Sequence, residues 1–543
     1  VKISYAADWT EYFGHQSGGD HRFHLDPLWT DANIDFVGID NYMPLADWRD
    51  GAEHLDAPWG SSRNPDYLAA NIAGGEGFDW YYDDPNGIEA QRRLPIEDGA
   101  YGEPWVYRYK DLVGWWSNAH HDRIGGVRQE APTAWQPYSK PIRFVEYGCA
   151  AIDKGANQPN RFLDPKSSES GLPRYSNGQR DDLMQLAYLQ AMHRHWTDPA
   201  KNPTSPVYGG PMVDFARSHV WAWDVRPYPV FPAHTALWGD AVNYDGGHWL
   251  NGRSAGQALA AVLGEICETA GLPDADTAAA DGIVRGYGVA DTSSARATLQ
   301  PLLLAHSVEA SEREGTLRFA PRNALSAHPV DLSQLARSTD IDGPLELTRA
   351  AEGEAIDRVR LSFVEAEGDF ATRVAEAALP VPGAERVSDS ELAMSLTRAE
   401  AVSIAERWLA EARLARDSLR LALPPSQSAI GAGDTLSVAG QSWRVDRVEQ
   451  SDLRLIEAVR TDPGIYRQGT AAAELQPVLW TPYAAPGPVY PLFLDLPLMK
   501  GAEVDHAPHV GAASTPWPGA VTVWSSPAED GFAGVGQLDL PMI

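Results

Sequence analysis

The sequence predicts a multidomain protein of the α/β plus α+β class that begins with the C-terminal half of a (β/α)8 barrel. The chain has 543 residues, which is more than a single hydrophobic core organises. Before residue 270, short apolar strands alternate with helical patterns, and each strand ends in a polar group beside an aromatic ring. Of the 19 tryptophans, 14 precede residue 260, after which the chain becomes rich in Ala, Glu and Arg. We therefore expect a domain boundary near Leu272-Pro273.

The first region contains four predicted strands, at residues 2–9, 34–44, 142–145 and 218–226. Helical patterns cover residues 107–119 and 181–196. The candidate site residues at the strand ends are Asp8, Trp9, Asp40, Asn41, Tyr42, Glu146, Trp223 and Asp224.

The carboxyl ends of parallel strands carry the chemistry of (β/α) barrels, so Glu146 is a candidate catalytic or sugar-binding group. Sugars stack their C–H faces on aromatic rings and bind carboxylates and amides through their hydroxyls. Three structural alternatives remain open: Glu146 pairs with Arg143 or Arg161, Trp9 and Trp221 belong to the core, and Asp40 with Asn41 caps the following turn.

The net charge is −30, from 74 acidic and 44 basic residues. This excess of acidic residues argues against binding nucleic acid by neutralising phosphates, although DNA could pass such a surface without adhering.

Cys149 and Cys267 lie too far apart in sequence for a metal motif or a disulfide framework. His15, His21 and His24 share one loop without metal-ligand spacing, so we expect solvated histidines and neither a metal nor a cofactor.

No apolar run approaches the roughly 18 residues of a membrane-spanning helix. The chain lacks an initiator Met and a signal peptide, and we expect it to be a piece of a longer protein.

The second region shows strands and helices without a catalytic constellation, which fits assembly better than chemistry. Thr397 and Glu400 form a predicted capping box. The helix that they open runs to about residue 419, with an inward face formed by Ala401, Ile404, Ala405, Trp408 and Leu409. The other predicted elements are a helix at 295–306 and strands at 284–290, 316–319, 358–364, 419–424, 435–438, 441–448 and 453–459. From about residue 474 a Pro-rich linker leads to a small β module with a strand at 520–525.

Three segments of the first region carry a family resemblance: FVGIDNYMPLADW from Phe36, PIRFVEYGCAAIDKGANQPN from Pro141 and HVWAWDVRPYP from His219. They resemble the glycoside-hydrolase-like TIM-barrel domain of the large baseplate protein of gene transfer agents, which are phage-like particles that package host DNA. The resemblance implies that the four strands are the fifth to eighth of the barrel. It makes Glu146 the nucleophile of a retaining glycosidase, with the acid/base Glu upstream of Val1.

The second region resembles the phage tail domain that follows the barrel in baseplate proteins of gene transfer agents, and it is similar to the hub domains of tail-tip proteins in long-tailed phages. The resemblance is carried by GYGVADTSSARATLQPLL from Gly286, LTRAEAVSIAERWLAEAR from Leu396 and LPPSQSAIGAGDTLSV from Leu423. The resemblance implies a homotrimer that continues the tail channel and contacts other baseplate and tail-tube proteins. DNA would only transit, without sequence-specific binding. The location implied is the tail baseplate of a phage-like particle assembled in the bacterial cytoplasm.

The expected domains are therefore a TIM-barrel-like domain at 1–272, a phage tail hub-like domain at 276–473, and a linker with a β module at 474–543. The expected function is a structural baseplate hub whose barrel binds or cleaves cell-envelope glycan, such as peptidoglycan, during DNA delivery. The alternatives are a stand-alone retaining glycoside hydrolase with accessory β domains and a non-catalytic carbohydrate-binding barrel.

Overall fold

The computed structural model describes residues 1–164, 167, 170–322, 327–368, 370–380, 386–466, 485, 487–501 and 503–540. The chain forms two compact units, Val1–Val478 and Leu479–Ile543. Within the first unit we call residues 1–256 the barrel-like module and residues 257–466 the tail module. Most of the predicted Pro-rich linker, including Pro477, Trp480, Pro482 and Pro486, lies outside the described residues.

The barrel-like module mixes short strands with short helices. Its strands are β1 (Ala6–Asp8), β2 (His15–Ser17), β3 (Asp20–Arg22), β4 (Val37–Asn41), β5 (Trp80–Tyr81), β6 (Leu94–Pro95), β7 (Arg123–Ile124), β8 (Val127–Arg128) and β9 (Ile142–Tyr147). Its α-helices are α1 (Asp26–Trp29), α2 (Pro65–Ala70), α3 (Pro85–Glu89), α4 (Leu112–Ser117), α5 (Asp182–Thr197) and α6 (Val230–Ala233).

A three-stranded parallel sheet in the order β1-β4-β9 organises this module. Val37, Ile39, Ile142 and Phe144 are fully buried in it, which is why these short apolar runs form strands. Helix α5 begins after Asp181, whose carboxylate accepts a hydrogen bond from the backbone N–H of Met184 at 3.0 Å. The sheet and α5 share one hydrophobic core, so the carboxyl ends of the strands are held on a packed support.

The predicted fourth strand, residues 218–226, is wrong. The segment meets β9 only at a single bridge, Tyr147 with Val220, and the described residues form no closed barrel. Residues 219–221 exchange backbone hydrogen bonds with Phe144 and Tyr147 of β9. Beyond them the side-chain amide of Asn251 accepts from the N–H of Asp224 at 2.8 Å and donates to its carbonyl at 2.7 Å. At Asp224 the Asn251 bonds take the place of strand pairing, so the segment does not continue as a strand.

Two other expectations for this module also need correction. The helix expected at residues 107–119 is shorter, because a 3-10 turn at Pro104–Tyr107 precedes α4. His21 is not solvated: it is 1% exposed and packs against Phe13 and Phe23.

The described residues of the tail module form four sheets and three helices of more than ten residues. Two of these helices lie near the start of the module, and the third packs on one of the sheets. Its strands are β10 (Gln257–Ala258), β11 (Ile283–Val284), β12 (Val308–Arg313), β13 (Thr316–Pro321), β14 (Ala327–Pro329), β15 (Leu345–Arg349), β16 (Arg358–Glu365), β17 (Thr372–Ala378), β18 (Val387–Leu396), β19 (Asp417–Leu423), β20 (Thr435–Val438), β21 (Gln441–Gln450) and β22 (Arg454–Thr461). Its helices are α7 (Leu259–Thr269), α8 (Ala295–His306) and α9 (Arg398–Leu414). The sheets with more than two strands have the orders β14-β20-β21-β22-β19-β15 and β17-β16-β18.

In the tail module, helix bounds, a helix cap and an alternating strand follow the predictions made from the local sequence. Helix α8 has the expected bounds, and both hydrogen bonds of the Thr397–Glu400 capping box are present. The alternation in β16 buries Val359, Leu361 and Phe363. Helix α9 ends at Leu414, earlier than expected, because the chain turns into β19 at residue 417, and the strand expected at 284–290 shrinks to β11.

The described residues of the second unit form two antiparallel strand pairs. Strand β23 (Tyr490–Leu494) pairs with β24 (His509–Ala513), and β25 (Val521–Ser525) pairs with β26 (Ala533–Leu538). The strand expected at 520–525 is thus confirmed as β25.

Candidate functional site

Three carboxylates lie side by side at the carboxyl ends of the parallel strands. In register, Asp8 of β1 pairs with Asp40 of β4, and Asp40 pairs with Glu146 of β9. Because neighbouring strands lie about 4.8 Å apart and in-register side chains share a face, the three groups form a row. We call Asp8, Asp40 and Glu146 the carboxylate row.

A β-bulge in β9 completes this row. Ile39 pairs with Phe144, but the next pair is Asp40 with Glu146, so Val145 is an extra residue. In a regular ladder Val145 would oppose Asp40, and Glu146 would lie on the other face. The bulge therefore turns Glu146 onto the face of Asp40.

Gly148 lets the chain pass close behind the end of β9. It has a φ of +150°, and a Cβ atom there would lie 2.8 Å from the carbonyl oxygen of Trp221. A side chain at this position would push the backbone at Trp221 away from the end of β9.

Glu146 is held by a tyrosine, since the hydroxyl of Tyr42 donates a hydrogen bond of 2.7 Å to Glu146 Oε2. The alternative partner Arg143 instead pairs with Asp214 at 2.9 Å. Burial and the Glu146 hydrogen bond raise the pKa of Tyr42, so this hydroxyl stays a donor.

The other candidates on β1 and β4 have local roles. The Asp8 carboxylate accepts from the N–H of Thr10 at 2.8 Å and from its hydroxyl at 2.5 Å. Asn41 caps the following turn by accepting from the N–H of Met43 at 3.2 Å, as one alternative proposed. Trp9 packs edge-on against Tyr109, with ring centroids 4.9 Å apart, at the margin of the core.

Trp223 and Asp224 lie in the irregular segment that replaces the expected fourth strand. Trp223 is 64% exposed. Asp224 pairs with Arg226 at 2.6 Å, and this bond lowers the pKa of the Asp224 carboxyl. The structure records no contact between either residue and the carboxylate row.

The Asp40 carboxyl has a different electrostatic environment from the other two carboxyl groups of the row. Burial, followed by the charges of Glu146 and Asp8, raises its pKa to about 6. Its Oδ1 atom is shielded from solvent and has no hydrogen-bond partner among the described residues. A carboxyl group in this setting holds its proton more readily than an exposed one.

Two buried polar residues near Tyr42 were not anticipated from the sequence. Tyr188 is fully buried, its hydroxyl has no partner among the described residues, and it lies near enough to Tyr42 to contribute to the raised pKa of Tyr42. The His248 ring lies 6.0 Å from that of Tyr42, and burial lowers its pKa to about 4. Both stand far from Tyr42 in sequence, and no local pattern marks them.

Within the described part of the chain, no group of three or more His, Cys, Asp or Glu residues has the geometry of a metal site. None of the described helices is long and apolar enough to span a bilayer. A cavity of about 310 Å³ lies in the tail module, lined by Gly286, Phe363 and Met394 among others, away from the row.

Comparison with known families divides the chain in two. Residues 1–232 match the family described as "GTA TIM-barrel-like domain", and residues 294–448 match that described as "Putative phage tail protein". Among curated proteins, a sequence search finds no match.

Several solved structures are similar to parts of the chain. One is the virion of a native gene transfer agent particle, with 45% identity over 42% of this chain and 53% of that chain and a TM-score of 0.41. The prophage MuSo2 43 kDa tail protein of Shewanella oneidensis is 11% identical over 39% of this chain and 69% of that chain, with a TM-score of 0.27. The prophage tail protein gp18 of Listeria monocytogenes is 10% identical over 30% and 52%, with a TM-score of 0.21. The chain thus spans about half the length of the gene transfer agent protein that it matches.

A mixed α/β chain that carries a phage tail domain is a structural tail component. The two family matches make the chain similar to a tail protein of the gene transfer agent type.

Proposed function

We propose that this chain is a baseplate hub component whose barrel-like module binds or cleaves cell-envelope glycan during DNA delivery. The carboxylate row with its Tyr42-held Glu146 is the observation that carries the proposal. Glu146 is the candidate nucleophile, and Trp223 is the candidate stacking surface. The fold that we propose for this module is TIM-barrel-like, which the family match of residues 1–232 supports.

The chemistry of the row supports a neutral, hydroxyl-rich ligand. Three carboxyl groups offer many acceptors for sugar hydroxyls, whereas an anionic ligand such as DNA would be repelled. The Tyr42 hydrogen bond fixes the Glu146 side chain in one orientation, which a sugar-binding or nucleophilic group requires.

We expect Tyr42→Phe to weaken retention of the chain on purified peptidoglycan by about tenfold, since a hydrogen bond to a charged group contributes about 1.5 kcal/mol. The measurement is co-sedimentation with sacculi at a series of concentrations. Tyr81→Phe, at an exposed tyrosine of β5, serves as the control and should bind like the parent chain. Equal retention of both variants, or no retention of the parent chain, would refute the glycan proposal.

The tail module forms the assembling part, as a homotrimer that contacts other baseplate and tail-tube proteins. The match of residues 294–448 to a phage tail family supports this role. Native mass spectrometry should then give about three times the chain mass of 59.1 kDa. A monomer at micromolar concentration would contradict the trimer, because such rings need interfaces well above about 1,000 Å².

A further inference from the structure

We propose that Asp40 and Glu146 form a proton-sharing pair in which Asp40 holds the proton and Glu146 remains a carboxylate. The proposal rests on the proposed function and deepens it, because it makes Asp40 the proton donor to the glycan. Both members of this pair lie on strands that the structure describes, Asp40 on β4 and Glu146 on β9.

Backbone register brings the two carboxyl groups together. The bulge at Val145 places Glu146 opposite Asp40 and on the same face of the sheet. The backbone separation of neighbouring strands, about 4.8 Å, is close to the spacing of about 5–5.5 Å between the two carboxyl groups of retaining glycosidases. A regular β9 would have separated them onto opposite faces.

The distribution of hydrogen-bond donors decides which group keeps the proton. Asp8 receives two hydrogen bonds from Thr10, and Glu146 receives one from Tyr42. Asp40 Oδ1 receives none from the described residues. Donors stabilise a carboxylate, so the first proton taken up by the row goes to Asp40.

The groups that face Asp40 from neighbouring elements act in the same direction. Asp8 on β1 and Glu146 on β9 both raise its pKa, in addition to burial. Tyr5, just before β1, and Tyr42, just after β4, are also close enough to interact electrostatically with Asp40, and both stay neutral because their own pKa values are raised.

The pair has the parts of a two-step hydrolysis. Glu146 bonds to the anomeric carbon while the bond to the leaving oxygen breaks, and that oxygen takes its electron pair and the proton of Asp40. Water then attacks the glycosyl ester and gives a proton to the Asp40 carboxylate, which restores both groups. Tyr42 positions Glu146 and exchanges no proton.

The pair is tested without a glycan by urea unfolding of the whole chain at pH 4.5 and pH 8. Because the pKa of Asp40 lies above that of an unfolded Asp, its contribution to stability is present below about pH 4 and is lost as the pH rises to about 6. Asp40→Asn should therefore raise the urea midpoint at pH 8 and change it little at pH 4.5. In a Glu146→Gln background the gain at pH 8 should shrink, because the repelling charge is gone.

Asp35→Asn is the matched control with the opposite sign. Hydrogen bonds from Lys2 and the N–H of Ile3 lower the pKa of Asp35, so its replacement should lower the midpoint at pH 8. The proton-sharing pair is refuted if Asp40→Asn raises the urea midpoint equally at both pH values. It is also refuted if Glu146→Gln leaves the rise at pH 8 unchanged.

Release of sugar from purified peptidoglycan separates this inference from the proposed function. If the proton-sharing pair and the proposed cleavage are both correct, sugar release by the parent chain falls above about pH 6. The Asp40→Glu variant should keep this pH profile, and the Asp40→Asn variant should lose the pH dependence. If the urea midpoints behave as described but no sugar is released at any pH, cleavage fails while the proton-sharing pair stands. If sugar is released but the midpoints show no such pattern, the pair is wrong and the proposed cleavage stands.

Discussion

Replacing Asp182 with alanine is expected to lower the free energy of unfolding by roughly 3–5 kcal/mol. The Asp182 side chain is 2% exposed and pairs with three arginines, Arg180 at 2.9 Å, Arg253 at 3.1 Å and Arg285. Burial alone would raise the pKa of Asp182, but the three cations lower it overall. Without this carboxylate, three cations would remain in a largely desolvated pocket.

The same cluster joins the barrel-like module to the tail module. Arg285 also pairs with Glu400 of the α9 capping box at 3.1 Å, and Arg180 also pairs with Glu367. We therefore expect Asp182→Ala to loosen the contact between the two modules as well as to destabilise them. Calorimetry should show a lowered and broadened transition for this variant.

Asp245→Ala is the matched control, because Asp245 pairs with Arg180 at 3.0 Å but its side chain is 73% exposed. An exposed pair contributes at most about 1 kcal/mol, so this variant should unfold nearly like the parent chain. If Asp182→Ala costs no more than Asp245→Ala, the buried cluster does not stabilise the contact.

Glu146→Gln should reduce release of sugar from purified peptidoglycan by about two orders of magnitude or more, as loss of a directly participating group does. Glutamine keeps an oxygen that can accept from Tyr42, so the local fold should persist. Reducing-sugar release over time, normalised to folded protein, measures the effect. Glu89→Gln, at an exposed carboxylate of α3, should release sugar at the parent rate, and equal release by both variants would remove Glu146 as the nucleophile.

Local rules predicted much of the fold. The capping box at Thr397 and the apolar alternation at Val359, Leu361 and Phe363 are set by neighbouring residues, and the structure follows both. The segment at 218–226 has the composition of a strand, but Asn251 bonds its backbone from 27 residues beyond Asp224. Such long-range competition has no local signature.

The candidate site shows the same limit. Strand ends correctly indicated that Asp8, Asp40 and Glu146 lie at one edge of a parallel sheet. The alignment of Glu146 with Asp40 depends on a bulge at Val145, which a strand pattern does not reveal. Asp224 looked equivalent in sequence, but Arg226 two residues later pairs with it.

The most direct test of the division of labour is to build particles whose tail protein carries Glu146→Gln and to measure both particle yield and sugar release from purified peptidoglycan. We predict loss of release together with parental yield, because Glu146 lies in the barrel-like module and we propose that the tail module directs assembly. Failure of particles to form, with a normally folded variant chain, would contradict the account.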